Sequence, residues 1–339
     1  MSPQKLLQAV SLAERPAVFF ANGHGDHILV LPTIRALAHY FPSKLRIVGA
    51  DGMVQRYFHC VPYKSAHVMR NMELQRDSAT SPAHGWIFDY RAVAEDLGSC
   101  DLFLSLIPWR SESTDSLLRL LSPANSIGFF NNFHTQVPLD YTKHSVDMAF
   151  DVALNVDPSL SPLQFSAPLP IPHRFRQFAD RFRRATSDFK ILAVHADTKP
   201  EKMWCLRKLM RTLTLFLDSH PRYVAVVIGL KTSMESNERE HDRILCLRGI
   251  PIDHTLAVLQ NADLFLGVDS CFLHAADLAR VPGIGLFGPT SSAEFGFRFS
   301  KHCHVDAPGG SMTNIEEDRV MHALSSMADP LSHCETVNA

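Results

Sequence analysis

The chain has 339 residues, of which 46% are hydrophobic and 20% charged, with a net charge of −2 at pH 7. That length suits two domains of ordinary size, and the balance is that of a globular protein, not a disordered or fibrous one. The near-neutral charge argues against a broad nucleic-acid footprint, and no apolar run approaches the ~20 residues needed to span a bilayer.

The first residues, MSPQKLLQAVSLAERPAVFF, lack the order of a signal peptide, because Gln8, Glu14 and Arg15 break the apolar run. Ala17 to Ala21 then reads as a short apolar strand, and Asn22-Gly23-His24-Gly25-Asp26 as a glycine-bearing turn. His27 to Phe41 reads as one amphipathic helix, with Ile28, Leu31, Ile34, Leu37 and Ala38 on one stripe. Pro32 is awkward inside that helix and fits best in a first turn. Leu45 to Gly49 is the second strand. By itself Gly23-x-Gly25-Asp26 is a weak motif, read first as a plain loop with Asp26 capping a helix. Further on, Trp86 to Leu97 has helical composition, Asp101 to Leu106 is a strand, Thr114 to Leu121 a helix and Ser126 to Phe130 a strand. His144 opens a helix that runs through Leu154. Arg56, Lys64, Arg70, Arg91 and Arg110 are spread along the chain, with acidic residues between the later ones, so these cations form no cluster in sequence.

Pro158, Pro162, Pro168, Pro170 and Pro172 fall between Asp157 and His173. Such density prevents helix and favours an extended, semi-rigid connection. The chain therefore divides into a first domain over 1–160, a linker over 161–173, a second domain over 174–312, and a terminal helix and tail over 313–339. Alternating strand and helix patterns in both halves imply α/β, with a doubly wound sheet in each.

In the second half, Arg174 to Arg184 reads as a helix and Lys190 to Val194 as a strand, followed by the polar loop His195-Ala-Asp-Thr-Lys-Pro-Glu-Lys-Met-Trp204. Lys202 on that loop could neutralise charge on a leaving group; an exposed basic loop is the plainer alternative. Tyr223 to Gly229 is the next strand, and Ile250-Pro-Ile-Asp253 opens a helix ending near Gln260. Leu264 to Val268 is a buried strand, with Gly267 admitting a tight turn. Asp269 and Ser270 are N-cap types before a helix from Phe272 to Ala279. Arg280 suits the negative end of that helix, Pro282 stops it, and Gly283 to Phe287 is the following strand. Asp269, Ser270 and Thr290 share the carboxyl end of this βαβ unit, with His274 one turn along. A diphosphate suits such a place. The alternative is a unit that binds nothing, with His274 as a packed histidine. Thr313 to Met327 closes the pattern as a helix, with Thr313 and Glu316 spaced as a capping box.

Gly-Val-Asp-Ser-x-x-x-His followed by Leu-Phe-Gly-Pro-Thr resembles the donor-site signature of glycosyltransferase family 9, the ADP-heptose heptosyltransferases. The resemblance implies a GT-B fold: two Rossmann-like domains facing across a cleft, acceptor on the first and donor on the second, with the terminal helix crossing back to brace the first. By motif, Asp26 takes the role of catalytic base, with Gly25, His24 and His27 on the acceptor side. Thr198, Lys202 and Trp204 keep the family's Thr-rich turn and Lys-x-Trp. Thr198, Asp269, Ser270, Cys271, His274 and Thr290 fall on the donor side, Lys202 at the leaving group, Glu235 (then Glu238) at the ribose, and Ile250 at the base. The chain departs from the pattern at Cys271, where the family has glycine, and at Asp197, where threonine is frequent.

The same resemblance implies an inverting glycosyl transfer from a nucleotide-diphospho-sugar, ADP-heptose by family default, to a hydroxyl or amine. No metal and no cofactor are expected. The acceptor is a glycan, lipopolysaccharide core or small metabolite. Odd, scattered cysteines argue for reduced thiols and a cytoplasmic setting, with peripheral contact at the inner membrane left open. The departures at Asp197 and Cys271 keep a catalytically silent sugar-nucleotide-binding protein as an alternative, beside another GT-B activity such as epimerisation.

Overall fold

The computed structural model describes residues 3–70, 72–75, 85–230 and 241–329. The chain divides between Ala167 and Pro168 into two compact units; the division falls inside the proline-rich stretch. That stretch is not wholly extended. Pro162–Phe165 forms a 3₁₀ turn closed by a capping box between Ser161 and Gln164, and Arg35 Nη1 donates to the carbonyls of Phe165 and Ala167 at 3.1 and 2.5 Å. The prolines forbid a long helix, but Pro162 at the start of a short turn has no N–H to lose.

In chain order the first unit runs α1 (Pro3–Ser11), β1 (Pro16–Phe20), α2 (His24–Leu29), α3 (Leu31–Tyr40), β2 (Arg46–Ala50), α4 (Met53–Tyr57), β3 (Ser65–Met69), β4 (Glu73–Gln75), β5 (Gly85–Ile87), α5 (Tyr90–Leu97), β6 (Leu102–Ser105), α6 (Glu112–Leu121), β7 (Asn125–Gly128), β8 (Thr135–Gln136) and α7 (Ser145–Leu154). Its parallel sheet has the order β3-β2-β1-β6-β7-β8. Two sequence expectations change here. The helix expected over His27 to Phe41 is two helices joined at Val30, with Pro32 in the first turn of α3, where its ring and missing N–H cost nothing. Trp86 and Ile87 belong to the antiparallel β4–β5 pair, not to a helix. The helix begins at Tyr90 because Asp89 caps it, accepting from the N–H groups of Arg91 and Ala92.

The second unit runs α8 (His173–Ala185), β9 (Lys190–His195), α9 (Leu206–Ser219), β10 (Tyr223–Leu230), β11 (Ile244–Arg248), α10 (Ile252–Gln260), β12 (Leu264–Val268), α11 (Cys271–Leu278), β13 (Gly283–Phe287), α12 (Ser292–Phe295), β14 (His302–Asp306) and α13 (Glu317–Ala328). Its parallel sheet, β11-β10-β9-β12-β13-β14, repeats the order of the first. In each unit the strand order reverses beside the first strand, and the carboxyl ends of the strands there form the usual ligand crevice. In the second unit that point lies between β9 and β12.

Strands β9, β12 and β13 are near-continuous apolar runs, as strands covered on both faces must be. Gly267 is not a turn residue. It lies within β12, where a Cβ would stand 2.4 Å from Phe265 Cζ and 3.0 Å from His195 O, so glycine permits a close backbone approach. Arg280 lies beyond the end of α11 at φ 61°, and its Nη1 folds back onto the carbonyl of Asp277 at 3.2 Å. The expected Thr313–Glu316 capping box is absent: Thr313 sits in a 3₁₀ turn and Glu316 itself precedes α13, with no side-chain cap. Helix α13 packs on α9 and β14 of its own unit. Among the described residues no helix is long and apolar enough to cross a membrane.

Candidate active site

Three loops leave the carboxyl ends of the adjacent strands β9, β12 and β13. The first carries Lys202 at the end of a 3₁₀ turn, Pro200–Lys202. Two residues later Trp204 is buried, and its Nε1 donates to Ile315 O at 3.2 Å. Lys208 Nζ reaches the same carbonyl at 3.0 Å. The loop is thus pinned to the segment before α13, which fixes where Lys202 can reach. Lys202 Nζ donates to Asp269 Oδ2 at 2.5 Å, across 67 residues of sequence. Asp269 is only 6% exposed. His274 Nε2 lies 3.7 Å from Asp269 Oδ1. A buried carboxylate requires such a partner.

Ser270 occupies the N-cap position of α11, yet its side chain makes no cap hydrogen bond. Its Oγ is buried with no hydrogen-bond partner among the described residues, and so is Thr290 Oγ1 on the loop after β13. An N-cap serine normally satisfies its helix, and buried hydroxyls are normally bonded. Two unmatched hydroxyls on neighbouring loops, beside an ammonium and a helix N-terminus, fit an anionic ligand with several acceptor oxygens. Cys271, half-buried, is the first residue of α11. Its Cβ and sulfur stand where the family's glycine leaves the backbone bare.

Thr198 and Asp197 lie half-buried on the Lys202 loop, and Ile250 on the loop between β11 and α10. Glu235 and Glu238 lie outside the described residues. His195 is structural. It is buried, burial lowers its pKa, and Nδ1 donates to Ile228 O at 3.0 Å. Sequence reasoning missed Glu294, on α12 after Thr290. Burial pushes its carboxyl pKa up, the charge of Asp269 adds to that, and Lys202 opposes it. Nothing in the run Ser-Ser-Ala-Glu-Phe distinguishes it from an ordinary acid in a first helical turn.

In the first unit the loop after β1 opens α2. Asp26 is not the cap; it lies in the first turn, and Gly23 is the N-cap residue. A Cβ on Gly23 would stand 3.4 Å from Asp26 Oδ2. Gly25, between them and half-buried, adds no side chain. His24 Nδ1 and Tyr57 Oη share a hydrogen bond of 2.7 Å. His27 is fully buried among Phe20, Tyr57 and Phe58, and its Nδ1 donates to Gly23 O at 2.8 Å. Burial lowers its pKa to about 4, the bond to Gly23 opposing and His24 adding to the fall. His27 is therefore a neutral prop that holds the loop in shape.

A doubled Rossmann-like α/β fold with a cationic, hydroxyl-lined strand-end site is the make-up of a GT-B glycosyltransferase. The model of glycosyltransferase family 9 (heptosyltransferase) matches residues 128–308, over half of the chain, and the chain belongs to that family. It is a glycosyltransferase that takes its sugar from a nucleotide-sugar donor. No curated protein sequence matches it. Solved structures do in fold. A family 9 glycosyl transferase from Veillonella parvula superposes with a TM-score of 0.73 at 18% identity, covering 93% of this chain and 97% of that one. E. coli heptosyltransferase WaaC with ADP gives 0.65 at 15%, covering 92% and 99%. E. coli ADP-heptose lps heptosyltransferase II gives 0.66 at 14%, covering 92% and 98%.

Proposed function

We propose that the protein is an inverting, metal-independent heptosyltransferase that moves heptose from ADP-heptose to a hydroxyl or amine acceptor. The observation that carries the donor half is the pair of buried hydroxyls, Ser270 Oγ and Thr290 Oγ1, without partners among the described residues, on the loops after β12 and β13, the first of which also carries Asp269, the partner of Lys202. A diphosphate supplies the acceptor oxygens those hydroxyls lack. The choice of ADP and heptose draws on the solved relatives, two of which are named for ADP or ADP-heptose.

In this reading the acceptor oxygen attacks the anomeric carbon as the bond from that carbon to the diphosphate oxygen breaks. Asp26 takes the acceptor proton by general base catalysis. Lys202, with the N-terminus of α11, neutralises the charge left on the diphosphate. Thr198, Asp269, Cys271 and His274 complete the diphosphate and sugar side, with Glu235 at the ribose and Ile250 at the base. A lysine in the phosphate position performs the work that a divalent cation does in metal-dependent transferases. The acceptor class is a glycan, with the lipopolysaccharide inner core as the family default, or a small metabolite, and the reaction belongs in the cytoplasm, where nucleotide sugars are at hand.

The test uses purified protein with ADP-heptose, UDP-sugars and GDP-sugars, in EDTA, with an acceptor panel read by mass spectrometry. ADP release with a heptose mass added to the acceptor is expected at full rate in EDTA, and the product's anomeric configuration should be opposite to the donor's. Strict dependence on added metal, or preference for a UDP-sugar, contradicts the corresponding part of the reading.

A further inference from the structure

Helix α8 carries five arginines and one aspartate in a chain whose net charge is −2. One of the five is built into the fold. Arg183 Nη1 donates to Asp263 Oδ2 at 2.9 Å and to Phe189 O at 3.2 Å, and Asp263 in turn accepts from Ile191 N at 2.7 Å. The other four, Arg174, Arg176, Arg181 and Arg184, are exposed. Arg174 lies over the Phe175 ring at 4.5 Å. Among the described residues the guanidinium groups of Arg176, Arg181 and Arg184 have no hydrogen-bond or ion-pair partner. The opposite face, with buried Phe175 and Ala179, packs on α10.

At the start of the helix this charge works against the macrodipole; at its end Arg183 and Arg184 suit the negative pole. The first turn contains no acid, and Pro172 before it provides no side-chain cap. Arg174 and Arg176 instead put positive groups at the positive end of the macrodipole. Arg181 and Arg184, three apart, are like charges on one face. Asp180 is spaced four residues from both Arg176 and Arg184, yet pairs with neither. Arg174, Gln177, Arg181 and Arg184 follow one another at helical spacing, so three guanidinium groups line a single stripe. Half-buried Phe178 sits along its edge, four residues from Arg174 and three from Arg181. Exposed guanidinium groups without partners, gathered on one helix face, match an anionic partner outside the chain.

We propose that the solvent face of α8, through Arg174, Arg176, Arg181 and Arg184, docks the protein on an anionic phospholipid surface. A cluster of about four to eight cations on one amphipathic helix is the density that acidic headgroups attract. A nucleic acid wants a broader basic field, which a chain of net charge −2 does not offer. The face shares no residue with the Lys202–Asp269 site, and its test needs no turnover.

The experiment is co-sedimentation of the full chain with phosphatidylcholine vesicles, with and without phosphatidylglycerol, across a salt series. The protein is expected to sediment with the anionic vesicles only and to be released as salt rises. R176Q/R181Q/R184Q should partition about 100-fold more weakly, at roughly fivefold per arginine. Its thermal midpoint should stay close to the parent's, because the substitutions remove no side-chain partner. Absence of binding to anionic vesicles at low salt overturns the proposal. So does a triple variant that sediments like the parent, or a parent that binds single-stranded RNA and leaves anionic vesicles untouched.

Discussion

Asp26→Asn is expected to lower turnover by about 100-fold or more and leave the protein folded and able to bind donor. The substitution removes the proton acceptor and keeps the shape. Asp26 lies within the first turn of α2 and is not its cap, so the fold does not depend on a cap at this position. What is lost is the favourable meeting of a carboxylate with the helix N-terminus, worth about 0.3–1 kcal/mol. Donor affinity should be retained, since the donor residues all lie in the second unit. Of the neighbouring histidines, His27 cannot take over: it is buried, neutral and bonded to Gly23 O. His24 is half-buried and held at Nδ1 by Tyr57. Near-normal turnover in folded Asp26→Asn would refute the base assignment and turn attention to His24. Donor isotherms and initial rates on the same preparation separate the two outcomes.

The second large effect is at Lys202. Lys202→Ala should abolish measurable donor binding, or weaken it by about 100-fold, and lower turnover further, because in the proposed mechanism the ammonium acts on the diphosphate both before and during bond cleavage. The geometry adds a sharper expectation. Lys202 is the closer ion-pair partner of buried Asp269, so removing it leaves that carboxylate with only His274 beside it, where the phosphates should bind. Breaking a buried pair from one side costs about 3–5 kcal/mol, less here because Lys202 is partly exposed. Lys202→Ala/Asp269→Asn should therefore melt higher than Lys202→Ala alone and recover part of the donor affinity. Strict additivity of the two substitutions would mean that the pair has no role beyond its separate members.

Much of this architecture is legible in the sequence. Leu264–Val268 and Gly283–Phe287 are uninterrupted apolar runs bounded by Gly, Pro and Asp, and both form strands over those bounds. The repeat of strand, polar turn and helix in both halves announces a doubly wound sheet in each; that the two sheets share one strand order is seen only in the fold. The elements misread share a cause. Trp86 and Ile87 have helical neighbours but pair with Glu73 and Leu74, a contact that no local pattern announces. Pro32 is awkward in one long helix because there are two. Thr313 and Glu316 have the spacing of a capping box but stand on opposite sides of a 3₁₀ turn's end.

The site is legible by residue and illegible by pairing. As candidates, Asp269, Ser270 and Thr290 mark themselves by lying at strand ends, and His274 by lying one turn into α11. That Lys202 is paired with Asp269 follows only from the adjacency of β9 and β12, strands far apart in sequence. The acid at Glu294 reaches the same electrostatic neighbourhood through a short helix with no signature of its own. The arginines of α8 are plain in the sequence, but only the fold separates Arg183, which is paired, from the four that face solvent.

The central claim is that the strand-end loops of the second unit hold a nucleoside diphosphate through hydroxyls that are unmatched without it. Calorimetric titration of ADP into the parent and into Ser270→Ala/Thr290→Val tests this most directly, with thermal melting of both proteins alongside. The variant should bind ADP at least about tenfold more weakly, each lost hydrogen bond to a charged oxygen being worth about 1.5–3 kcal/mol. It should also melt at the same temperature or higher, because two buried hydroxyls without partners have been removed. Equal ADP affinity in parent and variant, or a parent that does not bind ADP at all, would contradict the account.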